Sequence, residues 1–259
     1  MIPKIIHYVW LGNNHLGELG EKCIASWKKF CPDYKIIRWD ENNSDISQSN
    51  YAQQALAAKK FAFASDYIRL QALVNHGGIY MDTDVELLAS LDNFLSKKAF
   101  VGFERDDAIQ TALMACEKGH PLFEEFLAKY ESRNFVVEYG KYDMATNVER
   151  LTSLCIEKGL RLDNTLQEIA GVIVYPTEYF CPKCYHTGQL NLTANSISIH
   201  HFDASWWTDE QRKIHFLISK YKRKYGKRWK FMFSLFHPIK ALQIKQQSNS
   251  QKTLEKAQK

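Results

Sequence analysis

No stretch of this 259-residue chain runs through the roughly 18 consecutive apolar residues that cross a bilayer, so no membrane-spanning helix is expected. Nor does the N-terminus show a basic start followed by an apolar stretch, the pattern of a secretory leader. The six cysteines stand at irregular spacing, which without a leader favours reduced thiols in a cytoplasmic protein over a disulfide framework. Cys181-Pro182-Lys183-Cys184 lies close to His186, but no second cysteine pair follows at zinc-ribbon spacing, and the motif alone is a weak metal signal. A Gly-x-Gly-x-x-Gly loop is missing after the first expected strand, so a cradle of backbone amides for phosphate is not evident. Internal repeats and Gly/Ser linkers are absent as well. One region lacks acid altogether: between Gln211 and Leu254 there are twelve Lys or Arg and no Asp or Glu. The net charge of +5 is therefore C-terminal, and residues 1–210 are acidic on balance. An acidic body argues against a general polyanion binder, and nucleic acid is not an expected partner.

What the chain does contain is enough apolar residue, 45%, to bury a substantial core. Strand patterns at Lys4 to Trp10 and Tyr34 to Trp39 flank a helical pattern at Glu18 to Phe30, a βαβ opening that predicts an α/β fold. Residues 50 to 75 run without Gly or Pro and read as one helix, stopped by Gly77-Gly78, with a strand starting at Ile79. Further strands are expected near Ala99 to Phe103, Val172 to Tyr175 and Ser196 to Phe202. Residues 109 to 160 read as helices with a loop around Tyr139 to Thr146. The expected division is a catalytic domain over 1–210, a basic helical region over 211–240 and a polar tail over 241–259.

The strand from Ile79 ends in Asp82-Thr83-Asp84. In an extended segment residues two apart project to one side, so both carboxylates can face one cation. Oxygen ligands suit Mg2+ or Mn2+, ions that commonly complete their shell with substrate phosphates. Asp66 and Arg69, three apart on the preceding helix, are neighbours on one face. Either they form a surface ion pair of little consequence or they belong to the same polar cluster; their position thirteen residues before the second motif favours the cluster. The apolar strand ending in Asp-x-Asp also fits a haloacid-dehalogenase-like phosphatase, although that fold opens with this strand and here about eighty residues precede it.

Ser65-Asp66-Tyr67-Ile68-Arg69 followed by Gly77-Gly78-Ile79-Tyr80-Met81-Asp82-Thr83-Asp84 resembles the DXD sugar-binding region of glycosyltransferase family 32, and more distantly the large clostridial glucosylating toxins. Ile2 to Gly12 resembles that family's opening strand, and His200-His201-Phe202-Asp203-Ala204-Ser205-Trp206 its closing element. The resemblance implies a GT-A, Rossmann-like α/β fold with helical insertions and transfer of a sugar from a nucleotide donor, a UDP-sugar before a GDP-sugar, with retention. It implies Asp84 as direct metal ligand, Asp82 on the metal, ribose or sugar, and Asp66 and Arg69 on the donor sugar or phosphate. These four form the expected catalytic set. Donor contacts extend to Ser65, Tyr80, Ser205 and Trp206. Trp10 either stacks on the base or packs in the core. Of the two adjacent histidines only one reaches the metal, and His201 is preferred over His200. Mn2+, or Mg2+, is the expected cofactor. Glu104, Asp106, Asp107, Asp143 and Glu168 are further carboxylates among which nothing in the sequence selects, and no side-chain nucleophile is proposed.

In the acid-free region Ile214, Leu217, Ile218, Tyr221, Tyr225, Trp229, Met232, Phe233 and Phe236 recur at helical steps, interleaved with lysines and arginines. A basic amphipathic helix rich in aromatics, over 212–236, suits an anionic membrane surface, the alternative being a helix docked on the domain. The expectation is a peripheral protein at the inner face of a bacterial plasma membrane that acts on a surface glycan or lipid-linked acceptor.

Overall fold

The computed structural model describes residues 1–12, 14–203, 209–238 and 240, which fall into two compact units. In chain order the elements are β1 (Ile5–Val9), α1 (Glu18–Phe30), β2 (Lys35–Trp39), α2 (Asn50–Ala57), α3 (Phe61–His76), β3 (Gly78–Met81), β4 (Val85–Leu87) and β5 (Ala99–Arg105). These are followed by β6 (Ala108–Cys116), α4 (Pro121–Glu131), α5 (Asn147–Glu157), β7 (Gln167–Ile169), β8 (Val172–Tyr175), α6 (Thr177–Phe180), β9 (Ser198–His200), α7 (Asp209–Tyr225) and α8 (Trp229–Phe236). The first unit, which holds everything up to β9, is built on a seven-stranded sheet in the order β2-β1-β3-β6-β5-β8-β7. The pairings set β1, β2, β3, β5 and β8 in one direction and β6 and β7 in the other. The α/β class read from the sequence is what the chain adopts.

Alternation along the strands feeds two apolar layers. Tyr80, Val101 and Phe103 face the layer holding the buried sides of α2 to α5, whereas Ile79, Met81 and Phe100 face the layer that contains Trp27 of α1. The five co-directional strands bring the ends of β1 and β3 to one edge, where an open sheet of this kind presents its ligand. Trp10 and Asp82 follow directly at these two strand ends.

Two expectations fail in instructive ways. The single helix over 50–75 is two helices, broken at Lys59, whose φ of 54° leaves the helical region. No glycine or proline marks the break. It lets Tyr51 and Ala55 of one helix and Phe63 and Tyr67 of the next enter the same core from different directions. Residues 108–116 form a strand rather than a helix. All nine are buried, so the period-two signature is erased, and Ala, Leu, Met and Gln are helix formers by propensity.

The double glycine is explained by close approach. Gly78 has φ 104°, and a Cβ there would lie 2.7 Å from the carbonyl oxygen of Ile5; one at Gly77, with φ 65°, would lie 2.6 Å from the amide nitrogen of Lys118. Only glycine lets α3 end and β3 start against β1 at this spacing. His7 locks the joint. The Trp39 indole donates to its Nδ1 at 3.1 Å, so Nε2 carries the proton and meets the Gly77 carbonyl at 2.8 Å.

The second unit comprises Tyr185–Gln189 and the chain from residue 207, of which α7 and α8 are described. The expected continuous helix is interrupted at Gly226, φ 50°, after which α8 folds back along α7. Tyr221 meets Phe233 at 5.4 Å and His237 at 5.5 Å between ring centroids, and Phe233 is buried. Part of the aromatic stripe is thus consumed in packing the two helices together. Phe231, Leu235 and Phe236 remain exposed. Among the described residues no helix is long and apolar enough to cross a membrane.

Burial drives the His7 pKa down to about 4, against a smaller opposing effect of its bond to Gly77. A histidine with a depressed folded pKa contributes stability that is complete above its unfolded value of about 6.5 and is lost as pH falls towards 4. Urea unfolding at pH 7 and pH 5 is expected to show a loss of about 2 kcal/mol from this residue, absent in His7→Gln.

Candidate active site

Asp82, Thr83 and Asp84 do not continue the strand. They form a tight turn, closed by the Val85 amide donating to the Asp82 carbonyl at 3.0 Å, and the turn rather than strand alternation brings the two carboxylates together. The chain then enters β4, which pairs antiparallel with β9 in a small second sheet. That register sets Val85 opposite His200, so the imidazole arrives beside the turn. His200 Nε2 lies 3.4 Å from Asp84 Oδ1, and the Asp203 amide donates to Asp84 Oδ2 at 2.9 Å. One ligand atom each from Asp82, Asp84 and His200 lies within 4.8 Å of the other two.

The preference for His201 is corrected by this geometry. Adjacent strand residues do point to opposite faces, but His201 is the one turned away: its Nε2 meets Glu86 Oε2 at 2.8 Å, and Glu86 is also paired with Lys22. Burial would lower the His200 pKa, yet the Asp84 carboxylate beside it outweighs burial and holds it well above the ordinary range. Reciprocally, burial would raise Asp84, and His200 together with the Asp203 amide brings it down to about 2. Asp82 is raised, by burial first and by Asp84 next, with Arg69 opposing. Two carboxylates that repel each other, with an imidazole beside them, form a set that a divalent cation would complete. The nitrogen donor suits Mn2+ better than Mg2+.

The Asp66 and Arg69 pair is not a surface feature. Arg69 is 5% exposed and Asp66 6%. Arg69 NH2 reaches Asp66 Oδ1 at 3.1 Å and Ser65 Oγ at 3.0 Å; NH1 reaches Asp82 Oδ1 at 3.3 Å and the Thr111 carbonyl at 3.1 Å; Nε reaches the Ser65 carbonyl at 3.3 Å. The guanidinium lies 4.6 Å from the centroid of the Tyr80 ring, whose hydroxyl donates to Asp82 at 2.7 Å. Ser65, Asp66, Arg69, Tyr80 and Asp82 therefore make one connected group, joined to Asp84 and His200 through the turn. Burial pushes Asp66 up to about 7 in spite of Arg69.

Trp10 sits half-buried just past β1, its indole donating to the Asn14 carbonyl at 2.7 Å. Ser205 and Trp206 lie outside the described residues. Sequence reasoning missed Asn147, whose amide donates to Asp66 Oδ1 at 2.7 Å. The capping box of Thr146 and Glu149 signals a helix start there, but the target of Asn147 is 81 residues away. It also missed Thr111, and it did not select Glu104. Glu104 is a buried carboxylate raised by burial and close enough to His200 and Asp82 to feel their charges.

Residues 17–101 match the family described as "Glycosyltransferase sugar-binding region containing DXD motif". Inositol phosphoceramide mannosyltransferase 3 of Schizosaccharomyces pombe is 32% identical over 127 residues, 46% of this chain and 35% of that protein. Mannosyl phosphorylinositol ceramide synthase CSH1 of Saccharomyces cerevisiae is 26% identical over 188 residues, 69% of this chain and 49% of that protein. The chain thus spans between a third and a half of the length of these relatives. Among solved structures, PaToxG Glycosyltransferase superposes with a TM-score of 0.46 at 21% identity, over 61% of this chain and 69% of that one. Over part of its length the chain is therefore similar to DXD glycosyltransferases, and the sheet that carries the matching residues is mixed α/β.

Because the buried Arg69 neutralises the buried Asp66 as well as the partly exposed Asp82, Arg69→Met is expected to destabilise the protein by about 3 kcal/mol in urea unfolding. A surface pair would cost under about 1 kcal/mol in the same measurement.

Proposed function

We propose that this chain is a metal-dependent glycosyltransferase that moves a hexose from a nucleotide-sugar donor to a glycan or lipid-linked acceptor, with retention of configuration. The observation that carries this reading is the convergence of Asp82, Asp84 and His200 beside the buried Asp66–Arg69 group. A divalent cation held by Asp82, Asp84 and His200 would supply Lewis-acid charge to the diphosphate leaving group. Asp66, an acceptor fixed by Arg69 and Asn147, suits donor-sugar hydroxyls. Arg69, with every nitrogen engaged, acts by holding Asp66 and Asp82 in place. The motif resemblance favours a UDP-sugar. Two similar proteins are named for mannosyl transfer to inositol phosphoceramide, which brings mannosyl donors and inositol phospholipid acceptors into the same test.

For localisation we favour the inner face of a bacterial plasma membrane. In the second unit the exposed Phe231, Leu235 and Phe236 stand among exposed Lys224, Arg228 and Lys230, a combination that suits an anionic lipid surface.

Release of nucleoside diphosphate from a panel of UDP- and GDP-sugars in Mn2+ is the direct test. One donor is expected to be turned over, with Asp84→Asn and His200→Ala slower by roughly 100-fold or more and His201→Ala within about threefold. Cleavage of a generic phosphomonoester with no donor turned over would replace this reading by a phosphatase. In a separate assay, pelleting with phosphatidylserine vesicles is expected at low salt and is expected to weaken as salt is raised. A protein that stays in the supernatant at low salt would remove the membrane assignment.

A further inference from the structure

We infer that Lys183 is a diphosphate-binding residue of this site: Arg69 is spent on protein acids, while Lys183 is held in readiness for a ligand's phosphate. The inference rests on the transferase reading above. Lys183 Nζ donates to the carbonyl oxygen of His201 at 2.6 Å, one residue after the proposed metal ligand His200. The His201 amide in turn donates to the Asp84 carbonyl at 2.9 Å, so the ammonium is tied by two successive hydrogen bonds to the turn that carries the metal carboxylates. The segment bearing it is anchored on both sides. Cys181 is buried close to His200, Lys183 forms a bridge with Leu190, and the Asn191 amide donates to the Pro182 carbonyl at 3.0 Å.

Charge accounting separates Lys183 from the other cations at this end of the sheet. Arg69 has Nε, NH1 and NH2 all bonded and faces Asp66 and Asp82; Arg105 is paired with Glu104 and Asp107. Lys183 is half-buried and feels the charges of Asp84 and Asp203, but among the described residues it has no carboxylate oxygen within 4.0 Å. An ammonium has three donors, and the His201 carbonyl takes one. Two further N–H donors therefore remain on an ammonium that lies near Asp84 and Asp203 but, among the described residues, pairs with no carboxylate. A nucleoside diphosphate is the ligand chemistry that needs both a metal and a nearby cation, because its charge rises as the sugar departs.

Calorimetric titration of UDP and GDP at saturating Mn2+, with Mn2+ binding alone followed by electron paramagnetic resonance, tests the assignment. Lys183→Gln is expected to bind Mn2+ as the native protein does but the diphosphate about tenfold more weakly, and Lys183→Arg is expected to stay within about threefold of native. Two outcomes overturn the assignment alone. In one, Lys183→Gln binds the diphosphate like the native protein and holds Mn2+ more tightly, the mark of a residue that only neutralises the carboxylates. In the other it loses Mn2+ binding, the mark of a strap that only builds the loop. A native protein that binds neither diphosphate in Mn2+ overturns the transferase reading and this residue's role with it.

Discussion

A guanidinium buried between two carboxylates is the constraint around which the first unit is arranged. Arg69 leaves water at a cost of several kcal/mol, and only good geometry with further hydrogen bonds offsets that cost. Asp66, Asp82, Ser65, the Thr111 carbonyl and the Tyr80 ring together supply it. These partners come from α3, β3 with the turn that follows it, and β6, so satisfying one side chain fixes how the helix meets the centre of the sheet. Removing any acid would leave the positive charge partly uncompensated, and removing Arg69 would strand two carboxylates. The cluster holds together or fails as a unit.

Around that group the backbone does the positioning. Gly77 and Gly78 let α3 pass into β3 at a distance no side chain would allow, and the neutral His7 clamps the passage from β1. The chain then turns at Asp82–Asp84 instead of running on, and the short β4–β9 pairing delivers His200 to the turn from more than a hundred residues away. A site of this kind is built from secondary structure that ends at the right place. Its acids are crowded enough to repel each other, with Asp84 driven down by His200 and Asp82 driven up by burial and Asp84. Stored repulsion between neighbouring carboxylates is what a divalent cation relieves.

The second unit shows the same principle with a different outcome. Its aromatic periodicity is real, but the break at Gly226 folds the stripe onto itself, and Tyr221 and Phe233 become each other's core. Among the described residues the large apolar side chains left exposed in this unit, Phe231, Leu235 and Phe236, lie on α8.

The sequence by itself determined the α/β class, the opening βαβ unit, the Asp82–Asp84 and Asp66–Arg69 groups, and the helix stop at Gly77-Gly78, because each of these is written in local spacing or local conformation. It could not show that Asp82 to Asp84 turn, that residues 50–76 break at Lys59, or that 108–116 form a strand buried on both faces, since propensity there points elsewhere and packing overrules it. Only the tertiary structure chose His200 over His201, because strand alternation makes the two equivalent until the register with β4 is known. It alone brought Asn147 to Asp66 and Lys183 to the carbonyl of His201, next to His200. Contacts spanning tens of residues depend on which strand ends meet, and that is decided by the sheet as a whole.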